Sequence, residues 1–297
     1  MIKVFLDTNI LYSDKNKIFN KVEFGGEYKR IIKKISLMNK YSKIVNIYIP
    51  EIALLEFKHN CLEEYEKQKR EIDNFNEKLE SIFGNNLIHK SKLSWNSIHE
   101  YSLFLDSKID EYINENINIF SIIATPDCLD EIISRAISKK PLFKEAKCGS
   151  KTYYDAGLKD NLILETCIEY LDNDDVGIIY TRDTDFSAET PNLYVARTMD
   201  EFDENIKKLC PDYIIYQILE EIDCENKKID ILSFLELNYD STIEIINFSN
   251  EICEYDEEDD ILSFLVIATI NGKEAKVYVS YNRYMKTIVN AELKWIR

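Results

Sequence analysis

The chain has 297 residues, with 54 acidic and 37 basic side chains for a formal net charge of −17, and 45% of its residues are hydrophobic. That is apolar surface enough for one large or two ordinary domains, while 7 Gly and 5 Pro exclude collagen-like and low-complexity chains. The acidic surplus argues against tight nonspecific duplex binding, which rests on many Lys and Arg contacts with phosphates.

The first predicted element is a strand over Ile2–Leu6, a short apolar run of the kind buried on both faces of a parallel sheet. Asp7 ends it and interrupts any signal-peptide core, so a cytoplasmic protein is expected. Helical spacing of Tyr28, Ile31, Ile32, Ile35 and Met38 predicts a helix over 27–38. A second strand is expected over 43–49. Pro50 then opens a helix running to about Phe83, since the first helical turn tolerates its missing N–H. Residues 95–137 read as amphipathic helix with a break near Thr125, Pro126 and Asp127, and 160–171 as a compact helix. Strands are expected over 176–181 and 192–196. Alternating strands and helices predict an α/β domain with a mainly parallel sheet.

The pattern changes after Pro211. A helix over 212–222 precedes a segment at 242–248 and three strands, Ile261–Ile270, 273–281 and 287–295. Asn271–Gly272 is a strong type I′ hairpin signal. The acidic run 254–260 reads as an exposed loop. Two domains are therefore expected: 1–210, and a small antiparallel α+β domain over 211–297, whose strands carry Leu262, Phe264 and Val266 on one face and Leu265 and Ile267 on the other. A sheet apolar on both sides asks for cover on both, by its own helix and by the first domain or a second copy of the chain, so this domain is expected to serve assembly or regulation, as a homo-oligomer or with a regulatory protein partner. The longest clean apolar stretch, Ile261–Ile270, is too short to span a bilayer as a helix.

The seven cysteines form no CxxC pair and read as reduced, mostly buried thiols. With only three histidines, His59, His89 and His99, attention shifts to carboxylates. Asp7 follows the first strand, Glu56 lies two turns into the helix after the second, Asp160 opens a helix, and Asp183 follows the third strand with Asp185 two residues on. Sites in open parallel sheets form beyond the carboxyl ends of strands. Carboxylates gathered there repel one another unless a cation neutralises them, and all-oxygen ligation suits Mg²⁺ or Mn²⁺. A hard metal so held activates water and neutralises charge on a phosphodiester. Each residue also has a plainer use: Asp7 and Asp160 as helix caps, Asp183 and Asp185 as turn formers, Glu56 as a solvated side chain. Glu56 and His59 match half of a di-iron motif, without a second half. No nucleotide-binding glycine loop is present, and Asp7-Thr8-Asn9 lacks the second Asp of haloacid-dehalogenase phosphatases.

LDTNIL, the helix-borne Glu56, KDNLILET and YTRDTDF occur in an order and strand–helix context that resembles a PIN domain. The resemblance covers about residues 1–200, and RA…KKPLF ahead of GLKD is similar to a bacterial PIN-like group. It implies a Rossmann-like, metal-dependent nuclease. It further implies an acidic quartet of Asp7, Glu56, Asp160 and Asp183, with Asp185 as an accessory ligand and Asn9 and Thr181 as orienting groups. Single-stranded RNA is the expected substrate, with Lys139, Lys140, Lys144 and Lys147 as backbone contacts and Arg135 and Arg182 nearer the site. The alternative is a noncatalytic scaffold binding RNA or a protein.

Overall fold

The computed structural model describes residues 1–12, 24–41, 45–83, 92–114, 118–138, 142–148, 151–187, 190–222, 232–236, 243–256 and 258–295. It divides into two compact units, Met1–Ile35 with Ile44–Asn205, and Ser36–Lys43 with Ile206–Arg297.

In the first unit, β1 (Ile2–Leu6) is buried along its whole length, its four apolar residues by the hydrophobic effect and Lys3 through an ion pair with Asp175 at 2.6 Å. It pairs in parallel with β2 (Val45–Pro50) on one side and β6 (Val176–Tyr180) on the other. The strands β3 (Ile119–Ile122) and β7 (Leu193–Ala196) complete a five-stranded sheet in the order β3-β2-β1-β6-β7. The chain first winds outward from β1 through β2 to β3, then resumes on the other side of β1 with β6. The gap between the ends of β1 and β6 is therefore the switch point at which such sheets build sites. The helices of this unit are α1 (Thr8–Leu11), α2 (Gly26–Tyr41), α3 (Glu51–Phe83), α4 (Ile98–Asn114), α5 (Pro126–Ser138), α6 (Leu158–Glu169) and α7 (Met199–Leu209). The unit boundary falls within α7, and the last turns of α2 are assigned to the second unit.

Several elements differ from expectation. Pro50 does not open α3; it ends β2, paired with Ile122, because only a residue outside the ladder's donor positions suits a ring without an N–H. The stretch 95–137 is not helical throughout: β3 interrupts it as an edge strand beside β2. A further hairpin, β4 (Lys144–Cys148) and β5 (Lys151–Ala156), occupies charged sequence with no strand pattern. Its pairing supplies the strand identity that side-chain propensity does not. The helix α7 was likewise not expected as an element.

The second unit carries α8 (Tyr213–Ile222) and a four-stranded antiparallel sheet of β8 (Ile243–Asp256), β9 (Ile261–Ile270), β10 (Lys273–Asn282) and β11 (Thr287–Trp295), in the order β11-β10-β9-β8. Its core gathers Ile218 and Leu219 of α8 with Leu262, Phe264 and Val266 of β9 and Val277 of β10. On the opposite face of β9, Leu265 is buried and Ile267 half-buried. Asn271 and Gly272 have φ of 51° and 75°, the paired positive values of the expected I′ turn. The acidic run is shorter as a loop than expected, since β8 extends through Asp256. Of the cysteines, Cys61, Cys128, Cys167 and Cys210 are buried and free. No described helix is long and apolar enough to cross a membrane.

Candidate active site

Asp7 stands where β1 ends, and its backbone N–H donates to Tyr180 O of β6 at 3.2 Å. It is the N-cap of α1, so the plain and the chemical readings of this residue coincide. The side chain is 4% exposed. Its Oδ1 accepts from Thr8 N at 2.6 Å, and its Oδ2 accepts from Thr181 Oγ1 at 2.6 Å and Asn9 Nδ2 at 2.7 Å. Thr181 follows β6 and is fully buried. The two strands flanking the switch point thus each deliver one partner of this hydrogen bond. Burial pushes the Asp7 carboxyl above the ordinary carboxylate range; the bonds from Thr181 and Thr8 pull it down, and the Glu56 and Asp183 carboxylates push it up.

Glu56 lies on α3, on the same side as Asp7. Its Oε2 accepts from Thr8 Oγ1 at 2.8 Å, and its Oε1 is ion-paired with Lys159 Nζ. Thr8 therefore bridges two of the acids: its N–H holds Asp7 and its hydroxyl holds Glu56. Sequence reasoning passed over both Thr8 and Lys159, although each sits inside a quoted motif, LDTN and GLKD. Asp160 occupies the first turn of α6 beside Lys159 and is half-buried. It is not the cap: Gly157 is, with φ of 103° and no side chain to offer. A Cβ there would lie 1.9 Å from Leu142 O, so this glycine is required both by its left-handed backbone and by the close approach that seats α6.

Asp183 is half-buried after β6. Its N–H donates to Thr181 Oγ1 at 3.0 Å, and its Oδ1 accepts from Asp185 N at 2.9 Å, so this acid also shapes its own turn. Asp185 is exposed. Asn9 ties the two loops together, donating to Asp7 and accepting from Arg182 N at 3.0 Å. The Arg182 guanidinium is held by Glu27 of α2 through Nε at 3.1 Å and a terminal nitrogen at 2.9 Å. Tyr12 borders the same acids; burial raises its hydroxyl to about 12, with Glu56 and Asp7 adding to the effect.

Arg135, expected near the substrate, is instead 6% exposed and pairs with buried Glu165 of α6 at 2.5 Å. A helix-packing position opposite a buried carboxylate draws the guanidinium inward. Lys139 and Lys140 lie outside the described residues, and Lys144 and Lys147 are on β4, described by its backbone alone. His59 is exposed on α3, with Glu63 at 3.3 Å.

Among the described residues, no three His, Cys, Asp or Glu side chains stand close enough to hold a metal ion. The donor chemistry nonetheless fits a hard divalent cation. The donors are all oxygen, and Asp7 is raised in proton affinity by burial and by two other carboxylates, a situation that an adjacent cation reverses. Among the described residues, Lys159 is the cation paired with Glu56.

A family model described as PIN domain matches residues 4–186, more than half of the chain. No curated protein and no solved structure gave a significant match.

Proposed function

The chain belongs to the PIN domain family, a family of nuclease type that is generally metal-dependent, and on that premise we propose that it hydrolyses phosphodiester bonds in single-stranded RNA as a Mg²⁺- or Mn²⁺-dependent endoribonuclease. The observation that carries the reading is Asp7: buried beyond β1, held by three hydrogen bonds and pressed by Glu56 and Asp183. Burial and the neighbouring carboxylates disfavour its charged form, and perturbed acids of this kind cluster at functional sites.

In this reading Asp7, Glu56, Asp160 and Asp183 hold the cation, with Asp185 as accessory. A bound Mg²⁺ or Mn²⁺ supplies Lewis acidity that lowers the pKa of water and neutralises charge on a phosphodiester. Thr181, Thr8 and Asn9 keep the Asp7 carboxylate in one orientation, so its lone pairs need not reorganise when charge develops. Thr8 also fixes Glu56 relative to Asp7. With Glu56 engaged by a cation, Lys159 would no longer be its counter-charge, and its ammonium could meet a phosphate. The lysines at 139, 140, 144 and 147 serve as backbone contacts. The second unit, with 18 acids against 8 bases over 212–297, repels phosphates at short range and serves assembly or regulation.

The test is cleavage of single-stranded RNA with Mn²⁺ against chelator, with products read for 5′-phosphate and 3′-hydroxyl ends. Asp7→Asn and Asp160→Asn are expected to stay folded and lose turnover. Wild-type turnover in either purified variant refutes the assignment. A folded protein that binds RNA but leaves it intact under every metal condition favours the scaffold reading, for which the internally paired Glu56 is the supporting observation.

A further inference from the structure

A cavity of about 160 Å³ lies between the middle of α3 and the segment leading into α4, lined among others by Lys69, Ile72, Asp73, Lys92, Leu93 and Trp95. It is outside the carboxylate cluster: Lys69 is 13 residues beyond Glu56 on the same helix, about 20 Å away at 1.5 Å rise per residue. Its aromatic wall is rigidly built. The Trp95 ring packs against Tyr101 and Phe104, each 4.7 Å away between centroids, and Tyr65 donates to Trp95 O at 3.0 Å. Tyr65 stacks in turn on Tyr101 at 4.9 Å. Trp95 is half-buried and lines the cavity.

Two cations share the cavity with that ring. Several lysines of this acidic unit are ion-paired, among them Lys3 with Asp175, Lys34 with Asp203, Lys58 with Asp106 and Lys159 with Glu56. Lys69 and Lys92 have no ion-pair partner among the described residues, although Asp73 lines the same cavity. A flat aromatic surface, two ammonium groups and one carboxylate acceptor match the three parts of a ribonucleotide. The base stacks on an indole, the phosphate meets the lysines, and a ribose hydroxyl donates to a carboxylate. A volume near 160 Å³ is below the roughly 300 Å³ of a pocket that encloses a whole ligand. The site therefore suits one nucleotide lying across it.

We propose that this cavity is a nucleotide-binding subsite, with Trp95 as stacking platform, Lys69 and Lys92 as phosphate contacts and Asp73 as the ribose acceptor. The nucleotide is a unit of an RNA strand, held by the stiffness of α3 at a fixed distance from the carboxylates. Binding here holds whether or not those carboxylates cleave, so failure of the nuclease reading leaves it standing, and the reverse.

The experiment uses full-length protein carrying Trp295→Phe, which leaves Trp95 as the sole indole, with chelator present so that no cleavage intervenes. Adenosine monophosphate, a short ribo-oligonucleotide and its deoxy counterpart are titrated, following Trp95 fluorescence and, in parallel, polarisation of the labelled oligonucleotide. Saturable quenching by the ribo-oligonucleotide is expected, with weaker quenching by the deoxy form. Trp95→Ala should weaken polarisation-detected binding about tenfold. The pair Lys69→Glu and Lys92→Glu, both at exposed positions, should abolish quenching and flatten the salt slope of log affinity by about 1.4. Asp73→Asn should shrink the preference for ribose. Equal affinity for the mononucleotide supports the site and makes free nucleotide its source; quenching by the oligonucleotide alone makes the source the strand. No quenching by any of the three, or quenching and affinity unchanged in the double lysine variant, overturns the proposal.

Discussion

Replacing Thr181 by Val keeps the shape of a fully buried side chain and removes one hydroxyl. That hydroxyl donates to Asp7 Oδ2 at 2.6 Å and accepts from Asp183 N at 3.0 Å. The first bond goes to a carboxylate 4% exposed, a class of interaction worth about 1.5–3 kcal/mol. The second leaves a partly buried backbone N–H short of an acceptor, which costs about 1 kcal/mol more. With no cavity created, the expected loss is about 2–4 kcal/mol. The assay is urea unfolding of the first unit followed by Trp95 fluorescence in a Trp295→Phe background, where the midpoint should fall without a change in slope. The pH dependence has a definite sign. Asp7 is already raised in the folded state, chiefly by burial, and the Thr181 bond is the largest influence holding it down. The folded chain therefore retains a proton that the unfolded chain has released, and stability declines as pH climbs from the unfolded carboxylate range through the folded pKa. Without Thr181 the folded pKa rises further, so the stability loss should be larger at neutral pH than at acid pH. A change within 0.5 kcal/mol at neutral pH, the range of an ordinary surface substitution of about that size, refutes the argument; so does a loss that is independent of pH.

Other substitutions separate structural from chemical charges. Arg135→Met should destabilise the first unit by about 3–5 kcal/mol, because it strips the cation from buried Glu165, and adding Glu165→Leu should restore most of that in a double-mutant cycle read by thermal unfolding. Lys159→Met should tighten Mn²⁺ binding up to about fivefold by calorimetry, since it releases Glu56 from a partly exposed ion pair worth at most about 1 kcal/mol; weaker Mn²⁺ binding would mean that Lys159 organises the acids instead of competing for them. Gly157→Ala should cost at least about 2 kcal/mol, seen as a lowered midpoint, from a left-handed backbone and a methyl driven onto Leu142 O.

Much of the site's chemistry is written in local sequence. A run that is apolar but for Lys3 suits a strand buried on both faces, so Ile2–Leu6 reads as a central strand with Asp7 emerging at its end. Asn271–Gly272 specifies its turn because its two positive φ values suit those two residue types. The two small strand groups stayed hidden for the opposite reason. In β3 and in the β4–β5 hairpin, strand identity comes from the ladder partner, and the side chains of KEAKC carry no alternation to announce it.

The fate of each charge was a tertiary decision. Arg135 and Arg182 both read as cations near the site, yet one is turned inward onto Glu165, thirty residues on, and the other is held by Glu27, 155 residues back. Lys159 looked like spacing between a glycine and an acid until α3 and α6 brought Glu56 to it across 103 residues. Sequence states which groups carry charge and which runs must leave water, because those are properties of the residue and its immediate neighbours. Whether a cation faces a phosphate, a carboxylate or solvent depends on which helix packs opposite, and its energy falls off within a few ångströms, so only the folded chain sets it.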